Sequence, residues 1–243
     1  MKTTTTAALS TALALSLAAS AHAGFTTVKP APGSEKNHQQ ILGLTYGGSF
    51  LLNEGSTPTY SNGSLTFTRV DDSGKGGILA IVTADTTPTD DQRWSAGDAV
   101  GPTTVIARAK YAGDSHVFGW IDDTRGSAGF QPLIGTTTFN SPVTVNLTSS
   151  FRWALKDTTT NKTWTSRNSD NTSDGKSYDQ MTTYRVTGAG ITQPTYLLFW
   201  EDRIGGGADY DYNDAVIEIT AVPTPGVGGV ALLGAAGLLR RKR

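Results

Sequence analysis

The residues best equipped for chemistry lie between Phe199 and Ile219, in the stretch FWEDRIGGGADYDYNDAVIEI. Five carboxylates (Glu201, Asp202, Asp209, Asp211 and Asp214) and the amide oxygen of Asn213 fall within fourteen residues, with Arg203 as the only cation among them. Carboxylates crowded in this way repel one another unless positive charge sits between them. Hard oxygen donors at i, i+2 and i+4, as in Asp209, Asp211 and Asn213, suit Ca²⁺, which takes six to eight oxygens at about 2.3–2.6 Å. Gly205, Gly206 and Gly207 allow the backbone to turn sharply and to bring carbonyl oxygens inward. The candidate Ca²⁺ site is therefore Glu201, Asp202, Asp209, Asp211, Asn213 and Asp214, with Asp209 and Asp211 foremost. It is not an EF-hand. Counted from Asp209, position 6 is Asp214 rather than Gly and position 12 is Thr220 rather than Glu. The plainer alternative is a solvated acidic turn.

The flanking residues indicate what must hold this loop. An apolar run, Tyr196 to Trp200, precedes it, and a β-branched run, Ala215 to Thr220, follows it, which reads as strand, acidic loop, strand. If the chain were extended from Asp211 to Ile219, Asp211 and Asn213 would share the core face with Ala215, Ile217 and Ile219. Bare carboxylates there would be costly. Either a turn resets the phase before Ala215, or an ion neutralises the group at the rim of the core.

The remainder of the body is also β-like. Leu65 to Val70, Val143 to Leu147 and Phe151 to Lys156 alternate, while Ile78 to Thr83, Thr103 to Tyr111, Val117 to Ile121 and Met181 to Val186 have strand composition. Residues 24–40 read as an irregular polar lead-in. Ile41 to Leu52 reads as one bent strand or two short ones, and Asp85 to Pro102 as a long polar loop. No sustained 3.6-residue period appears outside the two ends of the chain. About ten short strands with frequent turns predict an all-β fold, an antiparallel β-sandwich of jelly-roll-like type. Residues 24–100 could form a subdomain, although no linker marks one.

Other constellations carry less. Gly113-Asp114-Ser115-His116 looks like a G-D-S nucleophile motif, but no Asp-x-x-His follows and adjacent residues of a strand face opposite ways. Asp71-Asp72, Asp90-Asp91 and Asp122-Asp123 are expected as solvated turn residues. Asp170 to Gly175 could be a second Ca²⁺ loop. Trp120, Trp153 and Trp200 sit in strand patterns and are expected in the core. Trp94 and Trp164 lie in polar surroundings and are the candidates for an exposed sugar-stacking surface.

The acidic stretch also carries a resemblance. W-E-D-x₂-G-G-G-x-D-x-D-Y-N-D, followed by a β-branched strand, resembles the C-terminal motif of domain-of-unknown-function family 4114. Asp179-Gln180-Met181-Thr182-Thr183-Tyr184 resembles that family's D-H-M-x-x-Y segment, with Gln180 in place of the usual His. Val117-Phe118-Gly119-Trp120 is similar to its F-G-aromatic strand. The resemblance covers about residues 100–221 and implies a bacterial extracellular β-sandwich with a calcium site. It implies no particular activity.

The two ends read as addresses. Met1 to Ala23 has Lys2, an apolar stretch from Ala7 to Ala19, and Ala21-His22-Ala23 as a cleavage site, so residues 1–23 are expected as a signal peptide with Gly24 as the mature start. Residues 222–243 comprise Val222-Pro223-Thr224-Pro225-Gly226, a small apolar stretch from Val227 to Leu239, and Arg240-Arg241-Lys242-Arg243. This resembles the PEP-CTERM sorting signal recognised by exosortase-type processing enzymes, with Thr224 where the name-giving motif has Glu. The apolar stretch is shorter than the roughly 20 residues a bilayer needs, and the basic cluster would stay cytoplasmic.

Between them, residues 24–221 form the expected extracytoplasmic body. The chain has no Cys, so disulfides and thiolate metal sites are excluded. Setting aside Lys2 and the four terminal cations leaves 15 Lys and Arg against 21 Asp and Glu, a body near −6. That excludes a basic face for nucleic acid. The expectation is a non-enzymatic, exported, calcium-stabilised structural or adhesive protein of the cell envelope or extracellular matrix, held to the membrane only through its C-terminal segment. The alternatives are a calcium-dependent module for extracellular polysaccharide and an extracellular hydrolase.

Overall fold

The apolar run preceding the acidic loop forms the strand buried most completely, with every residue from Thr195 to Trp200 inaccessible. A computed structural model describes residues 24–72, 78–80, 90–96, 102–124, 129–147 and 150–221. The two stretches read as a signal peptide and a sorting signal, residues 1–23 and 222–243, lie outside the described residues. No helix among the described residues is long and apolar enough to cross a membrane.

In chain order the elements are α1 (His38–Tyr46), β1 (Leu51–Asn53), β2 (Thr59–Ser61), β3 (Leu65–Arg69), β4 (Leu79–Ala80), β5 (Trp94–Ser95), β6 (Pro102–Ala109), β7 (His116–Asp122), β8 (Gln131–Gly135) and β9 (Val143–Asn146). Then come β10 (Ser150–Asp157), β11 (Lys162–Thr165), β12 (Thr172–Ser173), β13 (Lys176–Ser177), β14 (Met181–Gly188), β15 (Thr195–Trp200) and β16 (Ala215–Ala221). An eight-stranded sheet runs β1-β2-β3-β14-β15-β16-β6-β9. A second sheet runs β4-β5-β10-β7-β8, with β11 also paired to β10. Every pairing between these strands is antiparallel except β4 with β5. The protein is the expected all-β antiparallel sandwich. Residues 51–69 belong to the same sheet as β14, so they are no separate unit.

The core explains why β15 lacks alternation. Tyr196, Leu198 and Trp200 point with Ala215, Ile217 and Ile219 of β16 into the space between the sheets, against Phe118, Phe151, Trp153 and Leu155. Leu197 and Phe199 point the other way, with Val216, Phe67, Tyr184 and Val186, and are covered by Ile41, Leu42, Phe50 and Tyr212. A strand covered on both faces reads as a continuous apolar run. Burial of this kind is worth roughly 1.5–3 kcal/mol per large apolar side chain. Aromatic rings add to it: Phe118 stacks on Trp153 at 5.1 Å, and Trp94 meets Tyr196 edge-on at 5.4 Å.

Three expectations are corrected here. Within the segments read as lead-in and bent strand, His38 to Tyr46 forms α1, while residues 24–37 are irregular and Leu51 and Leu52 begin β1; the helix is capped by a reciprocal pair in which Gln40 N donates to Asn37 Oδ1 and Asn37 N donates to Gln40 Oε1. His38, placed in the lead-in, is buried, stacks on Phe199 at 3.9 Å and has Nδ1 3.0 Å from the Tyr184 hydroxyl. Burial, with Arg69 nearby, lowers its pKa to about 3, so it packs as a neutral ring. Trp94 and Trp164 are 0% and 6% exposed. Their indoles belong to the inter-sheet core and cannot form a surface platform.

Candidate metal centre

The acidic loop joins β15 to β16, which pair from Trp200↔Ala215 outward, so its two ends are neighbours at one end of the large sheet. Side chains from elsewhere pin its backbone. The Gln180 amide, fully buried just before β14, donates to the carbonyls of Glu201 (3.2 Å) and Arg203 (2.7 Å). Trp164 Nε1 donates to Asp202 O at 2.6 Å. Glu201 N donates to Gln180 O at 3.0 Å. Gly205 to Gly207 make one tight 3₁₀ turn, and Gly205 adopts φ +68°, which glycine reaches without steric cost.

The phase question is answered by the backbone. Tyr210 and Tyr212 both take left-handed conformations, with φ of 61° and 57°. The chain therefore turns before Ala215 rather than running extended. For a bulky residue each such conformation costs of order 1–3 kcal/mol and persists only where surroundings enforce it. Here Lys29 N donates to Tyr210 O at 2.9 Å, and Tyr212 OH donates to Asp179 O at 3.2 Å.

Five of the six expected ligands are divided between two places. Carboxylate oxygens of Glu201, Asp202 and Asp214 lie within 4.8 Å of one another. Those of Asp209 and Asp211 form a second such group, completed by Glu35. Glu35 lies outside the expected set: it is far away in sequence, and no spacing rule links it to the loop. Glu35, Glu201, Asp202, Asp209 and Asp214 line one open cleft of about 220 Å³, together with Arg203. Arg203 is shared between the cleft and its edge, with Nη2 2.9 Å from Asp114 Oδ2 and Nε 3.7 Å from Asp202 Oδ1.

Asn213 plays a different part from the one its spacing suggests. Its amide nitrogen donates to Asp211 Oδ2 (2.6 Å) and to Lys36 O (3.1 Å), which fixes Asp211 and ties the loop to the N-terminal segment. Its Oδ1 is buried and has no hydrogen-bond partner. Asp214 Oδ2 accepts from Asp202 N at 2.8 Å, and Glu201 Oε2 from Tyr210 N at 2.8 Å. A further neighbour is His116, which is buried with Nε2 2.9 Å from Asp202 Oδ2.

The electrostatics are those of too many anions in too little water. Burial, then Asp214 and Asp209, push Glu201 up to about 9. Burial, then Asp202, push Asp214 to about 8, and burial raises Asp211 to about 7. Such groups either hold protons or share a cation. Clustered carboxylates, an orphaned amide oxygen and a cleft open to solvent fit a hard, oxygen-seeking divalent ion. They offer no soft donor for a thiophilic metal.

The remaining candidates resolve otherwise. Asp170 is taken by Arg152 Nη1 (2.7 Å) and the Thr165 hydroxyl (2.8 Å), and Asn171 braces the same turn through Thr165. Asp123 is paired with Arg93 (2.6 Å) and with Arg167. Asp72, Asp90 and Asp91 are buried, so the expectation of solvated turns fails for them. Ser115 is exposed while His116 is buried, as residues on opposite faces of a strand must be. No protein-family model matches the chain, and a search of curated proteins finds no match. The resemblance to domain-of-unknown-function family 4114 thus rests on the motif residues alone.

Proposed function

We propose that the chain is an exported, non-enzymatic β-sandwich that uses Ca²⁺ to lock its last strands and its N-terminal segment, and that it serves as a structural or adhesive protein at the cell envelope or in the extracellular matrix. One observation carries this reading: among the described residues, five carboxylates line a single cleft with one arginine, which divides its charge between Asp202 and Asp114. Glu201, Asp202 and Asp214 would hold an ion between the end of β15 and the start of β16. Glu35, Asp209 and Asp211 would join the same loop to residues ahead of α1. The ion would supply positive charge, and the protein would supply a cradle already shaped by Gln180, Trp164 and Asn213. A chain without cysteine has few other ways to cross-link distant segments outside the cell.

Export and sorting rest on the two terminal signals, with an exosortase-type enzyme as the processing partner. The polysaccharide reading has lost its aromatic support, because Trp94 and Trp164 lie in the core. Calorimetric titration of the purified protein with CaCl₂ tests the proposal. Heat of binding that disappears in Asp202→Asn and Asp214→Asn variants is expected. A flat titration of well-folded protein at pH 8 overturns it.

A further inference from the structure

A pocket of about 490 Å³ opens on the outer face of the large sheet, between the segment ahead of α1 and the β1–β2 hairpin. Residues 25–30 form one wall, and hairpin residues including Glu54 and Tyr60 form another. The buried side chains of Arg69 and Tyr184 make its floor. The strand pattern places them there. Leu65, Phe67 and Arg69 alternate along β3 and share one face. Tyr184 of β14 is the cross-strand partner of Arg69, and β2 brings Tyr60 from the other side of β3.

Three rings surround the guanidinium. Arg69 lies 5.9 Å from the centre of the Phe25 ring and 5.7 Å from that of Tyr184. The Tyr60 and Tyr184 rings are 5.7 Å apart and inclined at 60°. Phe25 and Tyr60 are half-buried, so part of each ring stays open to the pocket. Arg69 Nη2 donates to Asp72 Oδ2 at 2.6 Å and to Thr26 O at 3.2 Å. The Tyr184 hydroxyl also lies against the guanidinium. Arg69 Nε, however, is buried and has no hydrogen-bond partner. A buried donor left in that state costs free energy that an acceptor oxygen would recover.

The lining selects a class of molecule. Lys29 and Arg69 are balanced by Glu54 and Asp211, and His38, whose pKa burial lowers to about 3, adds no charge. A charged ligand of either sign would therefore meet a like charge. A wholly apolar one would strip water from the amides of Asn37 and Gln39, which also line the pocket, and replace none of its hydrogen bonds. The volume falls in the range of small organic ligands rather than single ions. A sugar ring answers both demands, with C–H faces for aromatic rings and hydroxyls that donate and accept. We propose that this pocket binds a neutral saccharide, stacked on Tyr60 and Phe25 with a hydroxyl oxygen accepting from Arg69 Nε. Trp94 and Trp164, the rings that sequence spacing favours for such a role, are enclosed in the core, whereas these three converge only on folding.

The inference gives the adhesive reading above a ligand class. Of the pocket residues only Asp211 belongs to the acidic groups, so saccharide binding and calcium binding can fail separately. A glycan array carrying neutral hexose, pentose and deoxyhexose oligosaccharides beside uronate and sulfated ones is probed with the purified protein. The strongest neutral hit is then titrated by calorimetry. Affinity for it is expected to fall about tenfold in Tyr60→Ala, which removes a stacking ring. A fall of about threefold is expected in Glu54→Ala, which removes an acceptor at an exposed position. Calcium titrations of both variants should match that of the parent protein. If Tyr60→Ala folds poorly, Glu54→Ala decides. Well-folded protein that binds no neutral glycan overturns the proposal, as does binding to charged glycans alone. Affinity unchanged in the variants overturns it too, by placing the saccharide elsewhere. Saccharide binding with a flat calcium titration would uphold the pocket and remove the metal reading, and the reverse pair of results would do the opposite.

Discussion

The molecule holds two crowds of carboxylates, and it treats them differently. Around Asp72 the anions are enclosed, and the protein brings its own cation: Arg69 is buried beside them and contacts Asp72 at 2.6 Å. In the loop after β15 the anions line a cleft open to solvent, and Arg203 is turned toward Asp114 at the edge. Where no diffusible ion can enter, compensation has to be covalently part of the chain. Where water and ions have access, it can be left to solution. The first arrangement makes stability a property of the sequence. The second makes it a property of the surroundings, which would suit the exported role proposed above.

The sharpest way to break this contrast is to remove the internal cation. Arg69→Met leaves Asp72 buried without its partner, a change that typically costs about 3–5 kcal/mol. Urea denaturation is expected to show a loss of that size, with calcium binding at the open cleft retained in whatever protein remains folded. A loss under about 1 kcal/mol would mean that the enclosed carboxylates are protonated and need no partner.

Removing the external cation should have the next largest effect. At a free calcium concentration of about 100 times Kd, binding contributes about 2.7 kcal/mol, so EDTA is expected to lower Tm by about 5–10 °C at pH 8. Asp214→Asn should reproduce the lower Tm and abolish the response to EDTA. An identical melt with and without chelator would erase the distinction between the two crowds.

The pH dependence separates their shares. Glu201, Asp214 and Asp211 titrate at about 9, about 8 and about 7 in the folded protein, against about 4 when unfolded. The folded state therefore binds more protons than the unfolded state throughout that window. Stability of the calcium-free protein falls as pH rises from about 4 to about 9. Calcium is expected to cancel the part of the slope owed to these three groups. The part owed to Asp72, Asp91 and Asp179, all raised by burial, should survive calcium and shrink in Asp91→Asn. Melts across pH 4–9 with and without calcium measure both.

The two crowds also differ in how legible they are in the sequence. The open one can be read there because its members follow one another along a loop, flanked by strands whose pattern is plain. Its division into two groups cannot, because Glu35 enters from about 170 residues away and only folding brings it there. The enclosed crowd reads as solvated turns, and that reading fails. Asp-Asp pairs look alike in sequence whether or not a strand end and an arginine close over them. Trp94 misleads for a related reason: β5 is two residues long, too short to show alternation, and its neighbours Gln92, Arg93 and Ser95 are polar. Helix α1 has nine residues, of which only His38, Ile41 and Leu42 are buried, too few to reveal a period. Its Asn37-x-x-Gln40 capping pair is the signal that points to it.

The smallest effect should come from the scaffold that shapes the open cleft. Trp164 reaches from β11, in the second sheet, to donate its indole N–H to Asp202 O at 2.6 Å. Trp164→Phe keeps most of the buried ring and deletes that one bond, leaving a carbonyl with less support in a buried place. A neutral hydrogen bond of this kind is worth about 1 kcal/mol, so Tm should fall by about 2–4 °C. If the bond also holds Asp202 in its ligating position, calcium affinity should fall about threefold to tenfold in the titration. If calcium-free and calcium-bound proteins lose the same stability, Trp164 braces the fold without shaping the site. The cleft would then owe its form to Gln180, whose amide grips the carbonyls on either side of Asp202.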